Sequence, residues 1–74
     1  MSAIDIESSV TGTVWKIEAT AGASLKVGDV VMIIESMKME IPIEAEDDGV
    51  LSEILVAEGE AVSEDQVLAR LSPA

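Results

Sequence analysis

The order of apolar and polar positions along the chain predicts short strands. From residue 39 onward, apolar residues occupy alternate positions, namely Met39, Ile41, Ile43 and Ala45. Carboxylates or proline occupy the positions between them, namely Glu40, Pro42, Glu44 and Glu46. A period of two is typical of a strand with one buried face. Because Pro42 has no N–H to donate to a neighbouring strand, we expect this strand at the edge of a sheet.

A second segment is apolar without interruption, from Val30 to Ile34. Such a run is expected for a strand buried on both faces or wrapped in a barrel. The dipeptide Asp48-Gly49 is typical of a tight turn. We find no segment with a convincing helical pattern.

The chain contains an internal repeat with an offset of 37 residues. In this register Gly12 meets Gly49, and Gly22 meets Gly59. Five apolar positions also coincide: Val14 with Leu51, Ile17 with Ile54, Leu25 with Val62, Val30 with Val67, and Ile34 with Leu71. The pattern indicates two copies of one supersecondary unit that share a core. The second glycine pair is predicted to have positive φ.

These patterns together predict a single all-β domain over residues 1–74. The expected architecture is a flattened barrel or sandwich of two four-stranded antiparallel sheets with an internal pseudo-two-fold. The link between the two copies runs from Ser36 to Met39 and is equivalent to the place where the chain starts and ends. We therefore expect this link to project from the end opposite the two termini.

The sequence around this link is Glu35-Ser36-Met37-Lys38-Met39-Glu40. Turn tips usually favour Gly, Asn, Asp or Pro, none of which occurs here. A Met-Lys-Met triplet in isolation more often has two core-facing methionines around a solvated lysine. Its position at the symmetry link favours a functional interpretation, since large apolar residues at an exposed turn violate the local rule.

Composition excludes several kinds of site. The 74 residues include no cysteine and no histidine, so a thiolate or imidazole metal site and a Ser-His or Cys-His nucleophile are ruled out. The net charge is −11 with only four basic residues, which argues against binding to nucleic acid or to an anionic membrane. The sequence shows neither a signal-peptide pattern nor an apolar stretch long enough to span a bilayer, so the expected compartment is the cytoplasm.

From about Glu7 to Leu71 the sequence resembles the biotinyl/lipoyl attachment domains, specifically the biotin carboxyl carrier type. The residues that carry the resemblance are Glu35-Ser36-Met37-Lys38-Met39, Gly12-Thr13-Val14, Gly22, Gly28-Asp29, Gly49 and Gly59. Biotinyl domains typically have Met-Lys-Met around the modified lysine, whereas lipoyl domains typically have Asp-Lys-Ala. By that criterion the chain is similar to the biotinyl domains of the family.

The resemblance implies the hammerhead fold of these carriers and covalent biotin on Lys38, attached by a biotin protein ligase. It implies that Met37 and Met39 serve ligase recognition, and that Glu35, Ser36 and Glu40 contribute flanking recognition. The implied partners are a biotin carboxylase and a carboxyltransferase, for example in an acetyl-CoA carboxylase system of fatty acid biosynthesis. A carrier of this kind has no catalytic residue and no metal, and the isolated domain is expected to be monomeric.

Three features depart from the family pattern. Asp65 occupies the position equivalent to Gly28, although Asp tolerates left-handed geometry better than most residues. The stretch Ile41-Pro42-Ile43 is less polar than is usual after the motif. The equal spacings of the paired glycines leave no room for the protruding thumb that some carriers insert.

Other functions stay open at this point. A lipoyl carrier, or a carrier that accepts both groups, is the nearest alternative, although Met37 stands where lipoyl domains have Asp. An unmodified acidic interaction module is a second, and an enzyme is the weakest because the carboxylates are scattered. Asp47-Asp48-Gly49 lacks the spacing of a calcium loop, so we interpret it as a turn. Trp15 is expected to pack or to lie flat on the sheet, and Lys16, Lys26 and Arg70 to be ordinary surface charges.

Overall fold

The computed structural model describes residues 3–74 and contains eight strands. In chain order they are β1 (Ile4–Glu7), β2 (Gly12–Ile17), β3 (Ser24–Leu25), β4 (Val30–Ser36), β5 (Met39–Glu44), β6 (Gly49–Ile54), β7 (Ala61–Val62) and β8 (Val67–Pro73). Residues 3–74 contain no helix, and hence none that is long and apolar enough to cross a membrane. The all-β prediction is confirmed.

The strands form two antiparallel four-stranded sheets, which we call sheet A and sheet B. Sheet A has the order β1-β8-β6-β3, and sheet B has the order β5-β4-β2-β7. A shift of 37 residues carries β2, β3 and β4 onto β6, β7 and β8, and therefore maps one sheet onto the other. The predicted pseudo-two-fold and the pair of four-stranded sheets are both confirmed.

Irregularities in strand pairing recur at the same offset. In β2 the register shifts between Val14 and Lys16, and in β6 it shifts between Leu51 and Glu53. A further shift between Val30 and Met32 accompanies the burial of two successive β4 residues, Val31 and Met32. A bulge places an extra residue in one strand and locally disturbs the alternation of side chains. This explains why the predicted buried strand has an apolar run without alternation.

The core is an aliphatic layer that contains no aromatic residue. Its largest fully buried apolar side chains are Met32, Ile34, Leu51, Leu68, Leu71, Val14 and Val31. The predicted alternation on β5 is confirmed at the end of the strand that lies away from the hairpin turn. There Ile43 and the following Ala45 are buried, while the intervening Glu44 is exposed. Pro42 lies in an edge strand, as predicted.

The prediction of a tight turn at Asp48-Gly49 is wrong. The two strands that this segment connects, β5 and β6, belong to different sheets and do not pair with each other. Gly49 is required for another reason, since a Cβ at this position would overlap the carbonyl oxygen of Ser72. Its symmetry equivalent Gly12 meets the carbonyl oxygen of Glu35 in the same way. Both glycines therefore permit close approach of two strands.

Left-handed backbone occurs where the repeat predicts it. Gly22 and Gly59 have φ of 95° and 88°. Gly28 and its equivalent Asp65 have φ of 95° and 69°, so aspartate adopts the geometry that glycine has in the other copy. The repeat thus preserves a turn conformation even where the residue type changes.

The link between the two copies lies at the opposite end of the molecule from the C-terminus. The Ala74 N–H donates to the Asp48 carbonyl oxygen at 3.1 Å, and the Val27 N–H donates to Asp48 Oδ1 at 3.0 Å. Val27 precedes the start of β4, whereas the link follows the end of that seven-residue strand. The domain is elongated, measuring 35 × 18 × 17 Å. For the other terminus, the prediction falls partly on Met1 and Ser2, which lie outside the described residues.

We expect Gly49→Ala to lower the free energy of unfolding by about 3 kcal/mol, because the new Cβ overlaps a backbone oxygen that cannot move without displacing β8. Gly22→Ala is the matched control, since its Cβ meets no atom within 4 Å and adds only the strain of positive φ. That strain costs about 1 kcal/mol. Urea denaturation followed by circular dichroism measures both, and equal losses would contradict the steric explanation.

Candidate functional site

The link is a β-hairpin whose turn has only two residues, Met37 and Lys38. Ser36 and Met39 face each other as the last paired residues of β4 and β5. Met37 has φ of 50° and Lys38 has φ of 67°, so both turn residues are left-handed. Positive φ at both central positions is the pattern of a type I′ turn, which normally selects Asn-Gly.

The hairpin turn is therefore strained by its own sequence. For residues other than glycine, left-handed backbone costs about 1–2 kcal/mol per residue. Asn and Asp reduce this cost with short polar side chains, whereas Met37 and Lys38 cannot. Strain of this kind persists only where the surrounding structure imposes it, and it concentrates at functional sites. The turn thus maintains a lysine at a position where the backbone alone would favour another residue.

Both methionines beside Lys38 point away from the core. The exposed fraction is 93% for Met37 and 64% for Met39, while Met32 in the same sheet is fully buried. The ordinary structural interpretation of the triplet, with core-facing methionines, is therefore wrong. Exposed and flexible thioethers suit a surface that a partner protein contacts.

Lys38 itself is exposed at the tip. Within residues 3–74, the ion pairs involve Lys16 and Arg70, and none of them involves Lys38. A group joined to the Lys38 Nζ would extend away from the body of the domain into solvent. The geometry fits the covalent attachment of a long arm, because Lys38 is exposed at the tip of a two-residue turn and forms no ion pair within residues 3–74.

The base of the hairpin is tied to the neighbouring loops. Ser36 Oγ donates a hydrogen bond of 2.8 Å to the carbonyl oxygen of Thr11. Thr11 Oγ1 in turn accepts a bond of 3.0 Å from the Glu64 N–H. These contacts anchor the hairpin to the loop before β2 and to the turn between β7 and β8.

The supporting role of Thr11 was missing from the sequence-based prediction. A signal for it exists in the repeat, since an offset of 37 pairs Thr11 with Asp48. Each residue precedes one of the paired glycines, and each accepts a hydrogen bond from an N–H in the turn opposite. With the hydrogen bonds known, the repeat identifies Thr11 and Asp48 as equivalent residues whose side chains each accept a hydrogen bond from a turn N–H.

The structure brings all six predicted site residues together in one hairpin. Glu35 and Glu40 are direct partners across β4 and β5, and both are exposed. Like charges placed opposite each other on a sheet are destabilising. Stability of the domain alone therefore does not explain this carboxylate pair next to the tip.

The other basic residues lie away from the tip. Lys16 Nζ is 3.9 Å from Glu18 Oε1, and both side chains are largely exposed. Arg70 is an exposed surface charge, as predicted, and it also forms two ion pairs. Its Nη1 is 3.0 Å from Glu53 and its Nε is 3.3 Å from Asp5. The hydrogen bond to Glu53, and then that to Asp5, raises the pKa of Arg70 above its ordinary value.

We expect Met37→Asn to raise the free energy of unfolding by about 1 kcal/mol, because asparagine tolerates left-handed backbone. Met39→Asn is the matched control, since it also removes an exposed methionine but at a position without positive φ. Chemical denaturation of the unmodified protein measures both changes. If Met37→Asn gained nothing relative to the control, the turn would not be strained.

Comparison with known proteins places this chain in a family. A family model described as "Biotin-requiring enzyme" matches residues 2–71. The chain is 42% identical over 67 residues to the biotin/lipoyl attachment protein of Bacillus subtilis, with 90% of this chain and 92% of that protein covered. It is 31% identical over 68 residues to the biotinylated protein TB7.3 homolog of Mycobacterium leprae, with 92% and 96% covered.

A solved structure agrees with these sequence matches. The crystal structure of Kluyveromyces lactis urea carboxylase contains a segment that superimposes on this chain with a TM-score of 0.92 and 33% identity. The superposition covers 97% of this chain and 6% of the carboxylase chain. The fold of two four-stranded sheets is thus found as a small part of a much larger enzyme. Sequence and structure agree that this chain belongs to the biotin/lipoyl attachment domain family.

Proposed function

We propose that the chain is a biotin carboxyl carrier and that Lys38 is the residue to which biotin is attached. The observation that carries the proposal is the exposed Lys38 at the tip of a strained two-residue turn, between two exposed methionines. Two relatives support it, since one is named a biotin/lipoyl attachment protein and another a biotinylated protein. The likeness to a segment of urea carboxylase favours a carrier of the carboxylase type.

Attachment requires another protein to activate the acid. In the proposed step a biotin protein ligase forms the biotinyl adenylate from biotin and ATP with release of pyrophosphate, and the Lys38 Nζ attacks its acyl carbon. The new amide bond forms as the acyl–phosphate bond breaks, AMP leaves, and the amine releases a proton. The contribution of this chain is positional, because the hairpin presents the amine beyond the surface of the domain.

Each flanking residue has a proposed part in recognition. Met37 and Met39 offer the ligase an apolar contact on either side of the lysine, where their flexible side chains adapt to its surface. Glu35 and Glu40 add negative charge beside the tip. Ser36 keeps the base of the hairpin fixed through its bond to the Thr11 carbonyl.

When bound, biotin supplies a ring nitrogen that accepts and releases a carboxyl group. The tether would let the hairpin serve a biotin carboxylase and then a carboxyltransferase, since linkage replaces a bimolecular encounter with a high effective concentration. An acetyl-CoA carboxylase of fatty acid biosynthesis is the proposed system. The chain acts in it as a carrier and leaves the catalysis to its partners.

Lipoate is the second candidate for the attached group. The name of the Bacillus subtilis relative includes both groups, and that protein matches this chain over most of its length. The methionine at position 37 favours biotin over lipoate, because lipoyl domains typically have aspartate there. A carrier that accepts both groups is compatible with one exposed amine.

The proposal predicts one biotinyl mass increment on Lys38 when the purified protein is incubated with biotin, ATP and a biotin protein ligase. Intact mass spectrometry followed by peptide mapping measures it. The matched control is Lys38→Arg, which retains the positive charge but is no acceptor, and it should show no increment. Lys16 and Lys26 serve as internal controls and should stay unmodified.

Two other outcomes would contradict the proposal in different ways. An increment with lipoate and a lipoyl ligase, and none with biotin, would assign the chain to lipoyl carriers. No increment with either ligase would reject the carrier and favour the unmodified acidic interaction module. In that case Lys38→Arg should leave partner binding unchanged.

A further inference from the structure

The pseudo-two-fold allows the outer faces of the two sheets to be compared position by position. Across sheet B, Lys16, Ile33 and Pro42 lie side by side on β2, β4 and β5. The equivalent row of sheet A consists of Glu53, Arg70 and Asp5 on β6, β8 and β1. The backbone pairing of the two rows is the same, but sheet B has one lysine and two apolar residues where sheet A has three charged residues.

The row on sheet A is satisfied within the domain. Arg70 lies between two carboxylates and contacts both, at 3.0 Å from Glu53 and 3.3 Å from Asp5. Ser52, at the bulge of β6, also bonds to the Arg70 carbonyl oxygen at 2.9 Å. This face is a polar surface whose charges are paired internally.

The row on sheet B has no equivalent network. Ile33 is half-buried and lies between two fully buried neighbours in β4, so its side chain is on the outer face. Pro42 is exposed beside it. Trp15 occupies the bulge of β2, where the other sheet has Ser52, and is 47% exposed. Ile33 and Pro42 are paired neighbours, Trp15 lies at the adjacent bulge of β2, and Lys16 pairs with Ile33. We call Trp15, Ile33 and Pro42 the outer row of sheet B, with Lys16 beside it.

Exposed apolar residues on the other sheet are arranged differently. Val50 and Leu55 are both exposed, but Val50 lies near the start of β6 and Leu55 follows its end, with Glu53 between them in the sequence. Isolated exposed apolar side chains are normal, whereas a contiguous apolar row bordered by polar residues is typical of an interaction surface. The two outer faces thus differ in continuity as well as in composition.

The outer row of sheet B is continuous with the hairpin. β4 and β5 run without interruption from the pair Ile33–Pro42 to the pair Ser36–Met39. Three residues of strand separate these pairs, which is about 10 Å. The hairpin and the row therefore belong to one ladder, with the Glu35–Glu40 pair between them. A protein that closes around the tip on this side meets that pair and then the row.

Interface size leads to the same conclusion. The accessible surface of the domain is 4435 Å². A stable protein–protein interface covers about 800 Å² of each partner, which is roughly a fifth of this surface. A two-residue turn cannot supply such an area. A ligase must bring its reaction centre to the Lys38 amine itself, and it therefore has to cover part of a neighbouring face.

Charge around the outer row of sheet B identifies the chemistry of the partner. Glu35 is two positions from Ile33, and Glu40 and Glu44 are two positions on either side of Pro42, so all three exposed carboxylates share this face. A second copy of the chain would oppose like charges, with −11 on each domain. The face instead fits a surface with an apolar centre and a basic border.

We propose that the outer row of sheet B is the docking surface for the biotin protein ligase, which contacts Trp15, Ile33 and Pro42 while it acts on Lys38. This inference rests on the proposed function. The apolar row supplies affinity, and the three carboxylates orient the domain on the basic border of the ligase. The less polar stretch at Ile41-Pro42-Ile43 then has an explanation, because Pro42 belongs to the contact surface.

The test is steady-state kinetics of biotinylation with the unmodified protein as the varied substrate. We expect Trp15→Ser, which installs the residue found at the equivalent position of sheet A, to raise KM about ten-fold with kcat unchanged, as for loss of one central aromatic contact. Ile33→Thr is expected to raise KM as well. Leu55→Ser is the matched control, because it removes an apolar side chain of similar exposure (42%) from outside the row.

A binding measurement that does not depend on turnover accompanies the kinetics. Trp15 is the sole tryptophan, so 5-fluorotryptophan gives a single fluorine resonance. Addition of ligase should shift or broaden that resonance, and circular dichroism verifies that each variant is folded. Unchanged KM in Trp15→Ser and Ile33→Thr, or an unperturbed resonance, would overturn the docking surface while the biotinylation of Lys38 stands. A wild-type protein that accepts no biotin would instead overturn the proposed function, and this inference with it.

Discussion

The packing of aliphatic side chains between the two sheets is the interaction on which the rest of the structure depends. Each sheet takes strands from both copies of the repeat, so neither copy can complete a sheet or bury its apolar face alone. Close approach at Gly12 and Gly49 lets the strands reach this arrangement, since a side chain at either position would strike a carbonyl oxygen. A single cooperative core of this kind suits a small domain, whose buried fraction is necessarily limited.

That framework makes a strained hairpin possible. The turn at Met37 and Lys38 adopts left-handed backbone without glycine or asparagine, and the cost is offset by the long β4–β5 ladder and by the bond from Ser36 to Thr11. A rigid ladder also fixes the direction in which the lysine leaves the surface. Stability in the body of the domain and strain at its tip are therefore both consistent with the proposed attachment at Lys38.

The proposed attachment site and the proposed docking surface both lie where the two copies differ. Their core positions, glycines, bulges and turn conformations repeat at an offset of 37 residues. The hairpin has only the chain termini as its equivalent, and the apolar row of sheet B faces the opposite way from the ion-paired row of sheet A. The same core and turn features support folding in both copies. The residues on the outer faces of the two sheets are not needed for folding, so they can differ between the sheets for separate partners.

The sequence by itself determined the strand pattern, the repeat, the position of the hairpin and the candidate Lys38, because periodicity and glycine placement are local properties of the chain. It did not show that Gly49 approaches the carbonyl oxygen of Ser72, and the prediction of a tight turn at Asp48-Gly49 was therefore wrong. Nor did it show that Arg70 lies between Glu53 and Asp5, or that Ile33 pairs with Pro42 in the sheet whose β2 bulge carries Trp15. Arg70 is 17 positions from Glu53 and 65 positions from Asp5 in the sequence. Only the strand register of the folded sheets brings such residues together.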